Sequence, residues 1–306
     1  RVRILALGLA LTALTVVPVT AEELLMGDSV VQSDKADDGC GKVEKDCVAQ
    51  CAYEPLWTFR AGLLVMKQES PDMFKAFDFD FEAGIDVSAM RRIGDCRALE
   101  IRYMGIDDWN DRLEGNIGFI PVGADYSSNL HSLEFNLRRQ WTDRITTLAG
   151  FRWVEIHEEL GVDVFDFPVL GNDVDNHMYG FQIGGEAVIW DRGGPLTLTS
   201  GVKAGIYYNR SDVTVAVDFP GLGQIPPISF SDTVKGSHTA FLGEWDITGK
   251  IALTECIALR ASYELMWVEG STRAGGQIGS LLITGDIDKS GSQFYHGGII
   301  GVELTR

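Results

Sequence analysis

Phe77-Asp78-Phe79-Asp80-Phe81-Glu82-Ala83-Gly84-Ile85-Asp86-Val87-Ser88-Ala89 sets an apolar residue at every second position and a charged, hydroxyl or small one between. Period two is the period of a β-strand, whose successive side chains point to opposite faces; an amphipathic helix repeats every three to four residues. One face of this strand meets an apolar medium and the other a polar one.

Working outward, the same alternation recurs in nine other places. Toward the N-terminus it is Trp57, Phe59, Ala61, Leu63, Val65. Toward the C-terminus it is Leu99, Ile101, Tyr103; Leu133, Phe135, Leu137; Ala149, Phe151, Trp153; Tyr179, Phe181, Ile183, Ala187, Ile189; and Leu196, Leu198, Val202, Ala204, Ile206. It ends with Phe241, Trp245, Ile247; Ile257, Leu259, Ala261, Tyr263, Leu265, Trp267; and Ile300, Val302, Leu304. Near 150 and in the last strand both faces carry apolar residues, which leaves their register open.

The links between these segments alternate in length. Arg92 to Asp95, Gln140 to Asp143, Asp191 to Pro195 and the segment near Ile251 to Cys256 are tight. Asp108 to Ser127, Glu158 to Asn176, Arg210 to Gly236 and Glu269 to Ser292 are long, and only the first outer link, Gln68 to Lys75, is short. Tight turns on one side and long loops on the other mark a membrane barrel, and closure leaves no strand edge unpaired in hydrocarbon. The expected fold class is all-β: a transmembrane antiparallel up-and-down β-barrel of about 10 strands, with short periplasmic turns and long outer loops. Twelve strands result if Val213 to Val217 and Ile228 to Phe230 form a separate hairpin. Segments of about a dozen residues exceed the roughly 9 to 11 that a tilted crossing needs. Trp57, Trp109, Trp141, Trp190 and Trp267 near segment ends fit interfacial girdles. The rival fold, a secreted sandwich or lipocalin-like barrel with inward aromatics, does not need one-sided loop lengths.

Composition and the N-terminus agree with export. The chain has 306 residues and a formal net charge of -18, which argues against nucleic acid as partner. Arg1 and Arg3, the apolar run from Ile4 to Val17 and the small residues Val19-Thr20-Ala21 read as a signal peptide over 1–21, too short in its apolar core for a membrane helix. A polar leader over 22–54 and a barrel over 55–306 follow. Five cysteines suit an oxidising compartment. Cys40, Cys47 and Cys51 lie in the leader, and Cys96 and Cys256 at expected periplasmic turns. All five are disulfide candidates, and the odd number leaves at least one free or intermolecular.

The face opposite the apolar one is expected to line the lumen. It carries Arg60, Arg102, Arg138, Arg152, Lys203 and Arg260 with Asp80, Glu82, Asp86, Glu100, Glu134, Glu186, Glu244, Asp246 and Glu264. In so narrow a barrel these charges predict either an interleaved salt-bridged core or a narrow, mildly cation-selective channel for small ions or solutes.

Enzyme motifs are sparse, and no enzyme, cofactor or metal site is expected. His157-Glu158-Glu159-Leu160-Gly161 starts like a zincin helix but has Gly where a second His belongs, and the cysteine spacings do not match a zinc site. All five histidines, His131, His157, His177, His238 and His296, fall at expected outer strand ends. His157, His177, Asp173 and Asp175 form a rim constellation that could support acid-base hydrolysis, as in ten-stranded outer-membrane proteases. Asp163, Asp166, Asp173 and Asp175 could hold divalent cations between lipopolysaccharide headgroups, although a solvated loop accounts for them more simply.

Trp57-Thr58-Phe59-Arg60-Ala61-Gly62, Gly150-Phe151-Arg152-Trp153 and His296-Gly297-Gly298-Ile299-Ile300-Gly301-Val302-Glu303 resemble phrases of planctomycete outer-membrane β-barrel proteins. These look related to the Legionella-type pore-forming outer-membrane proteins. The resemblance covers roughly 55 to 306, implies a porin-like or structural role and carries no catalytic residues. The expectation is an exported protein of the bacterial outer membrane, either a narrow pore or a structural and surface barrel, with an outer-membrane surface hydrolase or adhesin as the alternative. Expected partners are outer-membrane lipids, lipopolysaccharide and the barrel assembly machinery.

Overall fold

The computed structural model describes residues 55–69, 80–94, 96–219, 221, 227–275, 277, 288 and 290–306. The expected signal segment, the leader with Cys40, Cys47 and Cys51, and Phe77 and Phe79 lie outside the described residues. Ten strands follow one another: β1 (Trp57–Glu69), β2 (Glu82–Gly94), β3 (Arg97–Ile117), β4 (Ile120–Thr142), β5 (Ile145–Val164), β6 (Phe167–Asp191), β7 (Leu196–Phe219), β8 (Ile228–Ala252), β9 (Ile257–Ser271) and β10 (Gly291–Thr305). Each pairs antiparallel with the next, and β1 closes on β10 from Thr58↔Thr305 to Glu69↔Phe294. Closure pairs each strand with both neighbours through the body of the barrel, and beyond it the outer arms of β3 (109–117) and β8 (228–240) pair on one side only.

The period-two pattern sorts the two surfaces as expected. Phe181 and Ile206 are 77% and 67% exposed on the outside, whereas Leu64 and Met66 are fully buried inside. Along β5 the outward residues Ile145, Ala149, Phe151 and Trp153 form the apolar band, and Glu155, His157 and Glu159 continue the same face above it. At the short-turn end, guanidinium groups stack on the bordering indoles: Arg91 on Trp57 at 5.4 Å, Arg139 on Trp141 at 3.9 Å and Arg192 on Trp190 at 4.1 Å. Such pairing keeps each ring at the border and its charge in water.

Two sequence expectations change, and the expected count of ten strands holds over the alternative of twelve. The connections expected as long loops are mostly strand: β3 and β4 pair out to Ile117↔Ile120, and β5 and β6 to Val164↔Phe167. The latter turns through Phe165 and Asp166, both at positive φ, the geometry of a two-residue hairpin turn. Val213 to Val217 and Ile228 to Phe230 do pair, but as continuations of β7 and β8, so the count is ten. Finally, Trp109 is no girdle residue. A register shift between Ile106 and Trp109 reverses the side-chain parity of β3, turning the indole inward. There it is fully buried, donates from Nε1 to the Met66 carbonyl at 3.0 Å and packs against Tyr295.

Candidate functional site

The lumen is filled in layers. Nearest the short turns lies a network to which all ten strands contribute. Arg102 donates from Nε to Asp86 at 2.6 Å and from Nη2 to Glu264 at 2.7 Å, with Glu244 at 3.4 Å and Glu134 at 3.6 Å from Nη1. Arg152, fully buried, bonds Ser132 Oγ at 2.8 Å and Glu244. Lys203 Nζ sits 2.9 Å from Glu134 and 3.1 Å from Glu244. Arg138 holds Glu100 at 3.2 Å and Glu186 at 2.7 Å, and Arg60 holds Glu303 at 2.9 Å.

The expected lumen residues Arg60, Asp86, Glu100, Arg102, Glu134, Arg138, Arg152, Glu186, Lys203, Glu244, Arg260 and Glu264 are thus brought together, while Glu82 faces inward opposite Met66, nearer the outer end. Two members escaped sequence reasoning: Glu303, which accepts from Arg60, and Lys250, 3.3 Å from Glu303. Their signal was parity, since each sits in phase with Arg260 on the paired strands. With them, seven cations (Arg60, Arg102, Arg138, Arg152, Lys203, Lys250, Arg260) face seven paired carboxylates (Asp86, Glu100, Glu134, Glu186, Glu244, Glu264, Glu303). The paired charges therefore balance, and the acidic excess read from the sequence rests on Asp80, Glu82 and Asp246, outside these seven pairs. Toward the short turns the network opens on a vestibule of about 290 Å³.

Above the charges lies an apolar layer that sequence reasoning missed. Leu64, Met66, Met104, Ile106, Leu130, Val154, Ile156, Met178, Leu242 and Met266 are buried within the barrel. The two-sided apolar run near 150 was its trace. Higher still, the start of the β9–β10 connection enters the lumen. Asn176 donates to the Thr272 carbonyl at 2.7 Å and accepts from the Thr272 amide at 2.8 Å, and the Ala274 amide donates to Glu158 at 2.8 Å. Glu158, fully buried, also receives Gln293 and lies 3.6 Å from Arg273. The lumen is therefore crossed by ion pairs, hydrocarbon and main chain in turn.

On the outer wall, above the apolar band, the β5–β6 register pairs His157 with Asp175 and Glu159 with Asp173. His157 Nδ1 lies 2.8 Å from Asp175 and 3.7 Å from Asp173, and Nε2 lies 3.9 Å from Glu159. Burial opposes protonation of His157, but the hydrogen bond with Asp175 and the charges of Asp173, Asp175 and Glu159 outweigh it and raise its pKa. Burial raises Asp173, with His157 opposing and the neighbouring carboxylates adding to the rise. Of the constellation read from sequence, His157, Asp173 and Asp175 come together, whereas His177 stands apart, beside Glu155 at 3.7 Å. Asp163 instead binds Arg112 at 3.1 Å.

Of the disulfide candidates among the described residues, Cys256 is free and exposed on the β8–β9 turn, and Cys96 lies at the β2–β3 turn.

A closed ring of ten strands with an apolar outer band, bordering aromatics and a charged interior defines a transmembrane β-barrel. No protein-family model matches the chain, and no curated protein matches it. Among solved structures it is similar to the translocator domain of autotransporter NalP from Neisseria meningitidis, at 10% identity over 83% of this chain and 89% of that one, with a TM-score of 0.46. It is also similar to the outer membrane protease OmpT from Escherichia coli, at 10% identity over 82% of this chain and 96% of that one, with a TM-score of 0.47. The attachment invasion locus protein Ail of Yersinia pestis is a third, at 8% identity over 82% and 99% of the two chains, with a TM-score of 0.28.

Proposed function

We propose that this chain is a sealed, non-enzymatic barrel of the bacterial outer membrane, whose work is structural and carried on its surface, rather than a diffusion pore. The observation that carries this reading is the stacking of three different obstructions across one lumen: the ionic network, the apolar layer from Leu64 to Met266, and the buried segment at Thr272 to Ala274. A hydrocarbon layer this narrow excludes hydrated ions, because nothing in it replaces their water. Surface work is supported by the tall hairpins, whose tips expose Phe119 (90%) and Phe167 (62%). The apolar band supports lipid and lipopolysaccharide as its surroundings, and insertion by the assembly machinery belongs to the same reading. Planar-bilayer recording of the refolded full chain tests it. The expected trace stays at baseline after insertion, and stable ohmic steps like those of a general porin would overturn it.

A further inference from the structure

We infer that His157, Asp173 and Asp175 form a binding site for one divalent cation of the zinc class on the outer wall of the barrel, just above its apolar band. Three observations carry the assignment. The first is convergence: one ligand atom from each residue lies within 4.8 Å of the others, on two adjacent strands whose register is fixed by the ladder. A sheet holds such positions with little freedom, so the ligands are gathered before any ion arrives.

The second is spacing. Two ligand atoms each about 2.1 Å from a tetrahedral ion stand about 3.4 Å apart. The separations of His157 Nδ1 from Asp175 and Asp173, 2.8 and 3.7 Å, bracket that value, so rotations of the side chains suffice to seat the ion. Glu159, 3.9 Å from Nε2 and so beyond hydrogen-bond distance, is near enough that a side-chain rotation would let it accept from the other nitrogen of a ligating imidazole and orient the ring. It is a positioning residue.

The third is charge. The ion pairs of Asp173, Asp175 and Glu159 among the described residues all converge on the one imidazole. Asp212 on the next strand, by contrast, is answered by Lys235 at 2.7 Å. Three carboxylates around one imidazole leave negative charge that a divalent cation neutralises. The nitrogen selects the ion, since imidazole suits zinc, copper and nickel, whereas calcium and magnesium take oxygen ligands. A fourth position faces outward, open to water or to a phosphate at the headgroup level.

The test is calorimetric titration of the oxidised full chain, refolded in detergent, with Zn2+. Wild type is expected to bind an equivalent of Zn2+ that His157→Ala and Asp175→Asn each lose, while both still shift mobility on heating. Glu159→Gln is expected to keep the site and weaken it by roughly tenfold. Equal Zn2+ binding by wild type and the variants, or none by wild type, would overturn the site. Co2+ absorption of wild type alone gives an independent reading that does not need a folded variant. Visible bands without a thiolate transition support nitrogen and oxygen ligands, whereas a thiolate band or no band overturns the assignment.

Discussion

Arg102 on β3 reaches across the lumen to Glu264 on β9, 2.7 Å from Nη2 to the carboxylate, while its Nε holds Asp86 on the neighbouring β2 at 2.6 Å. One guanidinium thus ties opposite walls, and the fork geometry lets it do so with separate nitrogens. Replacing it with Met leaves Asp86, Glu134, Glu244 and Glu264 sharing fewer cations in a space where all four are buried. Removing one partner of a buried pair costs about 3 to 5 kcal/mol, because the other charge is left uncompensated. Arg102→Met is therefore expected to lower the urea midpoint of refolded protein sharply. The double variant Arg102→Met with Glu264→Met should recover part of the loss, as coupling across a double-mutant cycle.

Conductance gives the second prediction. Judged by the charged face alone, replacing Arg102 and Arg138 together by Ser should widen the path and strengthen cation preference. The apolar layer above the network changes that outcome, because Leu64, Met66, Met104 and Ile106 stand untouched by the substitutions. The double variant is expected to record at the same baseline as wild type in planar bilayers. Ion steps appearing in the variant would show that the ionic layer is the only barrier.

Much of this architecture was legible because a strand writes its faces in alternate residues. The outward set from Trp57 to Leu304 and the lumen charges followed from parity alone. What parity cannot carry is a bulge. The shift between Ile106 and Trp109 moved an indole from the expected girdle to the interior without changing the composition nearby. The apolar layer was illegible for a related reason: where both faces are apolar, as at Phe151 to Ile156, alternation no longer says which side meets lipid. Hairpins were read as loops because Gly118, Asp166 and Pro168 interrupt hydropathy more than they interrupt pairing. On the wall, the sequence named His157, Asp173 and Asp175, but only the register of β5 against β6 separates them from His177.

The lipid face is tested by charge. Phe135 lies in mid-band, between Ile101 on β3 and Phe151 on β5, and faces outward. Phe119, 90% exposed, sits at the tip of the β3–β4 hairpin beyond the band. Arginine at mid-bilayer costs about 2 to 4 kcal/mol, whereas a surface substitution away from packing stays within about 0.5 kcal/mol. Phe135→Arg should reduce the heat-shifting fraction after folding into lipid vesicles, and Phe119→Arg should leave it unchanged. Equal yields would mean that the band does not face lipid.

Orientation can be read from a thiol the protein already carries. Cys256 is free and exposed on the tight β8–β9 turn, the end expected to face the periplasm. Phe119 marks the opposite end, at the tip of a hairpin whose strands pair continuously from Trp109↔Ser128 to Ile117↔Ile120. A membrane-impermeant maleimide added to intact cells should therefore leave Cys256 unmodified, and should label it once the outer membrane is permeabilised. Phe119→Cys, combined with Cys256→Ser, should be labelled in intact cells. The two sites bracket the apolar band, so their accessibilities must be opposite in any barrel that crosses the bilayer. Labelling of both in intact cells would mean that the chain does not span the membrane, and reversal of the pair would place the tall hairpins in the periplasm.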